Sequence, residues 1–187
     1  MPSLSEADRR AALQFARTAV IEAVTNRKLL EDFPRGGVFE ECRGVFVTLH
    51  VRNRLQGCIG VIEAKEPLGQ AIVHCAASAA LEDPRFSPMR PEQLGELSIE
   101  ISLLSAMVPI APESVEIGRH GLSIRLHAQR GLLLPQVAIE HRLSREQFLE
   151  ETCRKAGLPR EAWRDPEARL FGFTCEVFSD GPNPGKA

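Results

Sequence analysis

The stretch RLQGCIGVIE, residues 54–63, reads as a β-strand, yet two glycines bracket its cysteine: Gly57, Cys58, Ile59, Gly60. Glycine weakens a strand, because it loses backbone entropy on folding and has no side chain to pack. Two of them inside one strand point to a bulge or to a close approach of backbone. They would bare the Cys58 sulfur and the neighbouring peptide N–H groups, a thiolate nucleophile beside donors for a developing oxyanion. The competing reading is a small buried cysteine in a tight hairpin, since free cysteine is among the most buried residue types.

Upstream, GVFVTLHV (44–51) alternates, with Val45, Val47, Leu49 and Val51 on one face. Arg52-Asn53 can turn tightly, so residues 44–51 and 54–62 form a hairpin. A two-residue turn sets Cys58 opposite Val47 and Leu49 opposite Gln56, which puts the cysteine on the apolar face. A bulge at either glycine turns it over.

Before the hairpin, a helix is predicted from about residue 4 to 30. Ser3 and Glu6 form its capping box, and Ala12, Phe15, Ala16, Ala19, Val20 and Ala23 form its apolar stripe. After the hairpin, EPLGQAIVHCAASAAL is a second helix, started by Pro67 and closed by Pro84, with Cys75 inside its apolar stripe. ELSIEISLLS (96–105) alternates as a strand, and LSIRLHAQRGLLLP is a second hairpin. Pro135 opens a short helix to about His141. Ser144 opens another, with Gln147 completing a capping box, Leu143 and Phe148 a hydrophobic staple, and Gly157 the stop. RLFGFTCEVF (169–178) is a last strand. The pattern lacks strict β-α-β alternation, so the fold class expected is α+β, a mainly antiparallel sheet with helices packed on it. One domain of two lobes is expected over residues 4–179, followed by a flexible Gly/Pro-rich tail at 180–187.

The 187 residues are 43% hydrophobic and 26% charged with a net charge of −2, an ordinary globular balance. The pI near 6.2 supplies no basic field for nucleic acid, and aromatics at 5%, with no Tyr, leave few stacking platforms. No apolar run approaches the roughly 18 residues that span a membrane. The N-terminus has no apolar signal core, so a cytoplasmic protein is expected. Five scattered cysteines without a CxxC pair suggest neither a disulfide framework nor zinc. His50, His74, His127 and His141 show no metal-ligand spacing. GxGxxG, GxxxxGK[ST] and GxSxG are all missing, so no cofactor is expected.

LQGCIG resembles the LRGCIG signature of the AMME-syndrome candidate-region protein family, called AmmeMemoRadiSam system protein A in prokaryotes. The similarity continues through GVFVTL, PLGQAI, EDPRF, ELSIEISLLS, EIGRHGL, GLLLPQVAIE, ETCRKAGLPREAWRDP and FTCEVF, over about residues 13–178. The resemblance implies an α+β fold with a larger and a smaller lobe, and no settled activity. It implies Memo-type and radical-SAM partner proteins, and a suggested role in RNA modification. One departure stands out: Gln56 occupies the place of the signature's Arg, which could clamp an anion or favour a neighbouring thiolate.

Four residues in family-like motifs form the candidate catalytic constellation: Cys58, Arg85, Glu100 and His120. Arg85 of EDPRF is an anion clamp oriented by Asp83, or a lock on the end of its helix. Glu100 lies mid-strand on the face opposite Ile99 and Ile101, as a general base, an Arg partner or a solvated strand residue. His120, between Gly118 and Gly121 and beside Arg119, can accept a proton from Cys58, or bond its own turn. The functional readings are a small enzyme or enzyme component with a cleft around the Gly-Cys-Ile-Gly strand and an unknown small-molecule substrate, a protein-binding adaptor for the partners named above, or an RNA-associated factor. The acidic pI and scarce aromatics count against the last.

Overall fold

The computed structural model describes residues 4–63 and 65–181. In chain order the helices are α1 (Glu6–Asn26), α2 (Leu68–Leu81), α3 (Pro135–Glu140) and α4 (Arg145–Lys155). The strands are β1 (Val45–Val51), β2 (Arg54–Val61), β3 (Leu97–Leu104), β4 (Val108–Pro109), β5 (Gly121–Leu126), β6 (Gln129–Leu133), β7 (Arg169–Phe173) and β8 (Cys175–Ser179). The fold is α+β, built as two compact units whose described residues are 4–63, 65–104 and 176–181 in the first and 105–175 in the second. No described helix is long and apolar enough to cross a membrane.

The first unit carries a sheet in the order β2-β1-β3-β8, with β1 antiparallel to both β2 and β3. α1 and α2 cover one face. Val45, Val47 and Leu49 of β1 and Ile99, Ile101 and Leu103 of β3 are buried there with Val20 of α1 and Leu68 and Ile72 of α2. The period of two on the strands and the 3.6-residue stripe on the helices supply the two halves of that core. α1 is shorter than its pattern predicts. Its capping box is Ser5 with Asp8, and Arg27 ends it in the left-handed conformation with its N–H on the Glu22 carbonyl. Ser3, expected as the cap, lies outside the described residues.

The second unit carries a sheet in the order β4-β7-β5-β6, with β5 antiparallel to β6 and β7. Phe148 and Leu149 of α4 and Ala138 of α3 pack against Leu122 of β5. Ser144 and Gln147 form the predicted capping box.

Two expectations are corrected. Residues 169–178 are two strands, because Ser105 takes both peptide groups of Thr174. The Ser105 N–H donates to the Thr174 carbonyl, and the Thr174 N–H donates to Ser105 Oγ, each at 2.9 Å. β7 and β8 therefore enter different sheets. The hairpin register also differs. Val51 faces Arg54 and His50 faces Leu55 across Arg52-Asn53, but Leu49 then faces Gly57, and Thr48 faces Cys58. Gln56 is the extra residue of a bulge. Cys58 consequently leaves the face of Val47 and Leu49 for that of Thr48. Asp180, assigned to the tail, is tied down: it accepts Arg17 and the Ile99 N–H, the latter at 2.8 Å. Residues 182–187 lie outside the described residues.

Candidate functional site

The bulge at Gln56 builds the site. The Gln56 amide donates to the Ser87 carbonyl at 2.9 Å and accepts from Gln93 at 3.2 Å, which pins the extra residue outside the hairpin. An Arg here could make the first bond but not the second, since a guanidinium has no acceptor.

Past the bulge the two glycines do separate jobs. A Cβ on Gly57 would collide with the Ala79 carbonyl oxygen, so this glycine lets α2 lie directly on β2. A Cβ on Gly60 would strike the Phe46 ring, which packs over the backbone on the helix-free face. Neither glycine has a positive φ. Close approach, rather than unusual backbone geometry, is their reason.

On that helix-free face Cys58, Thr48 and Glu100 stand in one cross-strand row over β2, β1 and β3. The Thr48 hydroxyl donates to Cys58 Sγ at 3.2 Å. Glu100 follows beyond Thr48, two strand spacings (about 9–10 Å) from the Cys58 backbone. Cys58 itself is half-buried.

The EDPRF turn closes over the outer edge of β2. Asp83 Oδ2 accepts the Cys58 N–H at 2.8 Å, and Arg85 Nη2 donates to the Cys58 carbonyl at 3.1 Å. Arg85 also grips Asp83 through Nε and Nη2, at 3.0 and 2.7 Å. Asp83 is 2% exposed and Arg85 57%, so the carboxylate is a buried anchor and the guanidinium reaches out beside it. The Phe86 ring lies 5.3 Å from the guanidinium carbon. The clamp thus satisfies the peptide groups of an edge strand, which would otherwise offer themselves to another chain.

Electrostatics tie Arg85 to the thiol as well. Its guanidinium is pushed upward first by the Asp83 side-chain bond, against desolvation, and then by the Asp83 charge, the Cys58 charge and a side-chain bond to Cys58. Asp83 is held well below the usual carboxylate range, chiefly by the Arg85 bond and, against desolvation, by the Cys58 and Arg85 N–H groups.

Three of the four sequence candidates therefore belong to one unit. Cys58 and Arg85 touch, and Glu100 shares their row. His120 belongs to the second unit, where its Nδ1 accepts the Glu116 N–H at 3.1 Å in its own turn. The idea that the glycines free the Cys58 N–H for an oxyanion is corrected: Asp83 takes that donor. Arg85 does not bond helix carbonyls either; its carbonyl partner is on the strand. Sequence reasoning missed Thr48, because only the bulge brings it opposite Cys58. No trio of metal-ligating side chains assembles among the described residues. Two clefts lie elsewhere. One, of about 580 Å³, is lined by Leu133, Val137, His141 and α4 residues, and one of about 450 Å³ lies beside α1 and α2.

The family model described as AMMECR1 matches residues 13–178. A Methanothermobacter thermautotrophicus protein is 41% identical over 187 aligned residues, covering 95% of this chain and 96% of its own length. An Aquifex aeolicus protein is 38% identical, covering 92% and 93%. The crystal structure of the uncharacterized protein PH0010 from Pyrococcus horikoshii is similar with a TM-score of 0.80 at 36% identity, over 91% of this chain and 92% of that one.

Proposed function

The chain belongs to the AMMECR1 family, and from that premise we propose that it is a small enzyme, or the enzymatic component of a larger system, in which Cys58 is a nucleophilic thiolate. The observation that carries this reading is that one residue is held from two sides, the Thr48 hydroxyl donating to Cys58 Sγ at 3.2 Å and Arg85 Nη2 to the Cys58 carbonyl at 3.1 Å. A hydroxyl donor on the sulfur and a guanidinium on the adjoining carbonyl are the surroundings this reading gives its nucleophile. The thiolate attacks a carbonyl carbon of a small substrate, the new S–C bond forming as the C=O π pair moves onto the oxygen. Negative charge on that substrate meets Arg85, whose Nη1 is not used by Asp83 or Cys58. Glu100, next in the row, is the proton acceptor this reading assigns. This reading assigns no role to His120, whose Nδ1 accepts the Glu116 N–H within its own turn.

The test is alkylation of the native protein by iodoacetamide, with each cysteine followed by mass spectrometry. Cys58 is expected to react ahead of Cys75 and Cys153, which are buried. Thr48→Val and Arg85→Gln should each slow it by roughly tenfold, the size of one hydrogen bond to a charged group. A Cys58 that stays unlabelled while exposed Cys42 reacts would overturn the reading. The family's Memo-type and radical-SAM association would then favour an adaptor whose glycine-cysteine strand serves the fold.

A further inference from the structure

The C-terminal turns of α1 and α2 flank a groove of about 450 Å³ that the cysteine site does not use. Its volume falls in the range of small-molecule sites. Ala23, Ala77, Leu29 and Leu81 give it an apolar wall. Leu29 is 52% exposed there, on the segment that leaves α1.

Charge is concentrated at one end. Arg27 and Lys28 follow the last residue of α1 and line the groove. No ion pair answers either of them among the described residues. Arg27 has a φ of 55°, a left-handed conformation that turns the chain at this point. The one carboxylate on the lining, Glu82, is already held by the Ser78 hydroxyl at 2.6 Å. Arg27 and Lys28 set two cations against this one carboxylate, and the C-terminal ends of α1 and α2 offset part of that positive charge. His74 also lines the groove, with its Nδ1 donating to Glu66 at 2.9 Å. In the other cleft Glu151 answers Arg154 at 2.8 Å, which leaves Lys155 as the one lining cation without an ion pair among the described residues.

We propose that this groove binds a small amphiphilic carboxylate. Arg27 and Lys28 hold the head group, Arg27 by its planar fork. The body lies on Leu29, Leu81 and the two alanines. An apolar chain alone gains too little there, and a bare anion leaves the wall unused.

The test is calorimetric titration of the whole chain with octanoate, octanamide and inorganic phosphate. Octanoate should bind with one site per chain. Octanamide has the same body without the charge, phosphate has charge without a body, and each should bind at least about tenfold more weakly. Arg27→Gln with Lys28→Gln should weaken octanoate by about tenfold or more, and Leu29→Ser should weaken it independently. These side chains are exposed, so the variants are expected to keep the wild-type unfolding midpoint. Equal binding of octanamide, preference for phosphate, indifference to the double substitution, or absence of octanoate binding at millimolar concentration would each overturn the proposal.

Discussion

Among the described residues the Asp83 carboxylate accepts four hydrogen bonds from two residues: from the N–H of Cys58, and from the N–H, Nε and Nη2 of Arg85. Because its folded-state pKa is depressed, it stabilises the fold above the unfolded carboxyl value of about 4. That contribution is lost as pH falls below this value toward the lower folded one. Wild type should therefore lose more stability between pH 6 and pH 3 than Asp83→Asn does, read as the shift in urea midpoint. Asp83→Ala should cost about 2–3 kcal/mol, since it orphans the Cys58 N–H and the guanidinium together. Cys75 has the opposite sign. Burial first, then the Glu66 and Cys58 charges, push its thiol up to about 12. It therefore contributes stability that is full below the unfolded thiol value of about 8.5 and is lost as pH rises toward 12. Cys75→Ala should flatten the alkaline limb of the stability profile above about pH 9. Cys75→Asp should lower the urea midpoint at neutral pH, because a carboxylate replaces a thiol that is 4% exposed.

At the scale of the element, β2 is a strand whose two faces meet different neighbours. Alanine at Gly57 pushes against the backbone of α2, which cannot move without shifting a whole helix. Alanine at Gly60 pushes mainly against the Phe46 ring, although the Val45 carbonyl is also near. Gly57→Ala should therefore cost more than Gly60→Ala, with both exceeding the strand preference and falling near the 1–3 kcal/mol of overpacked sites. Phe46→Leu should recover part of the Gly60→Ala loss and none of the Gly57→Ala loss. A double-mutant cycle in urea checks this, and equal rescue of both would show that the glycines share one cause.

At the scale of the whole molecule, the first unit is discontinuous: the chain leaves it after Leu104 and returns as β8 to complete its sheet. Asp180 secures the return. It accepts Arg17 Nη2 at 2.6 Å and the Ile99 N–H at 2.8 Å, and its own N–H reaches the Ile99 carbonyl at 3.1 Å. Arg17 also donates to the Leu97 carbonyl at 2.9 Å, so one side chain ties α1, β3 and the returning chain together. Asp180→Ala should lower stability by about 1–3 kcal/mol, and in hydrogen exchange the loss of protection should centre on Ile99. Wild-type protection at Ile99 in this variant would show that β8 holds without the Asp180 bonds.

Periodicity determined much of the architecture by itself. Alternation in residues 44–51 and 97–104, the stripes of α1 and α2, and the Ser144–Gln147 cap are local signals that the tertiary structure leaves in force. The glycines around Cys58 also announced a bulge or a close approach, and EDPRF left Arg85 between an anion clamp and a lock on its helix. Only the tertiary structure decided what they approach and clamp. Pairing register depends on one extra residue, and Gln56 is held out by Ser87 and Gln93, which are distant in the chain. Without that bulge a two-residue turn puts Cys58 on the apolar face; with it the thiol meets Thr48. The division of residues 169–178 between two sheets likewise rests on Ser105, far upstream. Side-chain pattern records which residues want burial. It does not record which distant peptide group will claim a hydrogen bond, and at Cys58 those claims set the surroundings of the thiol.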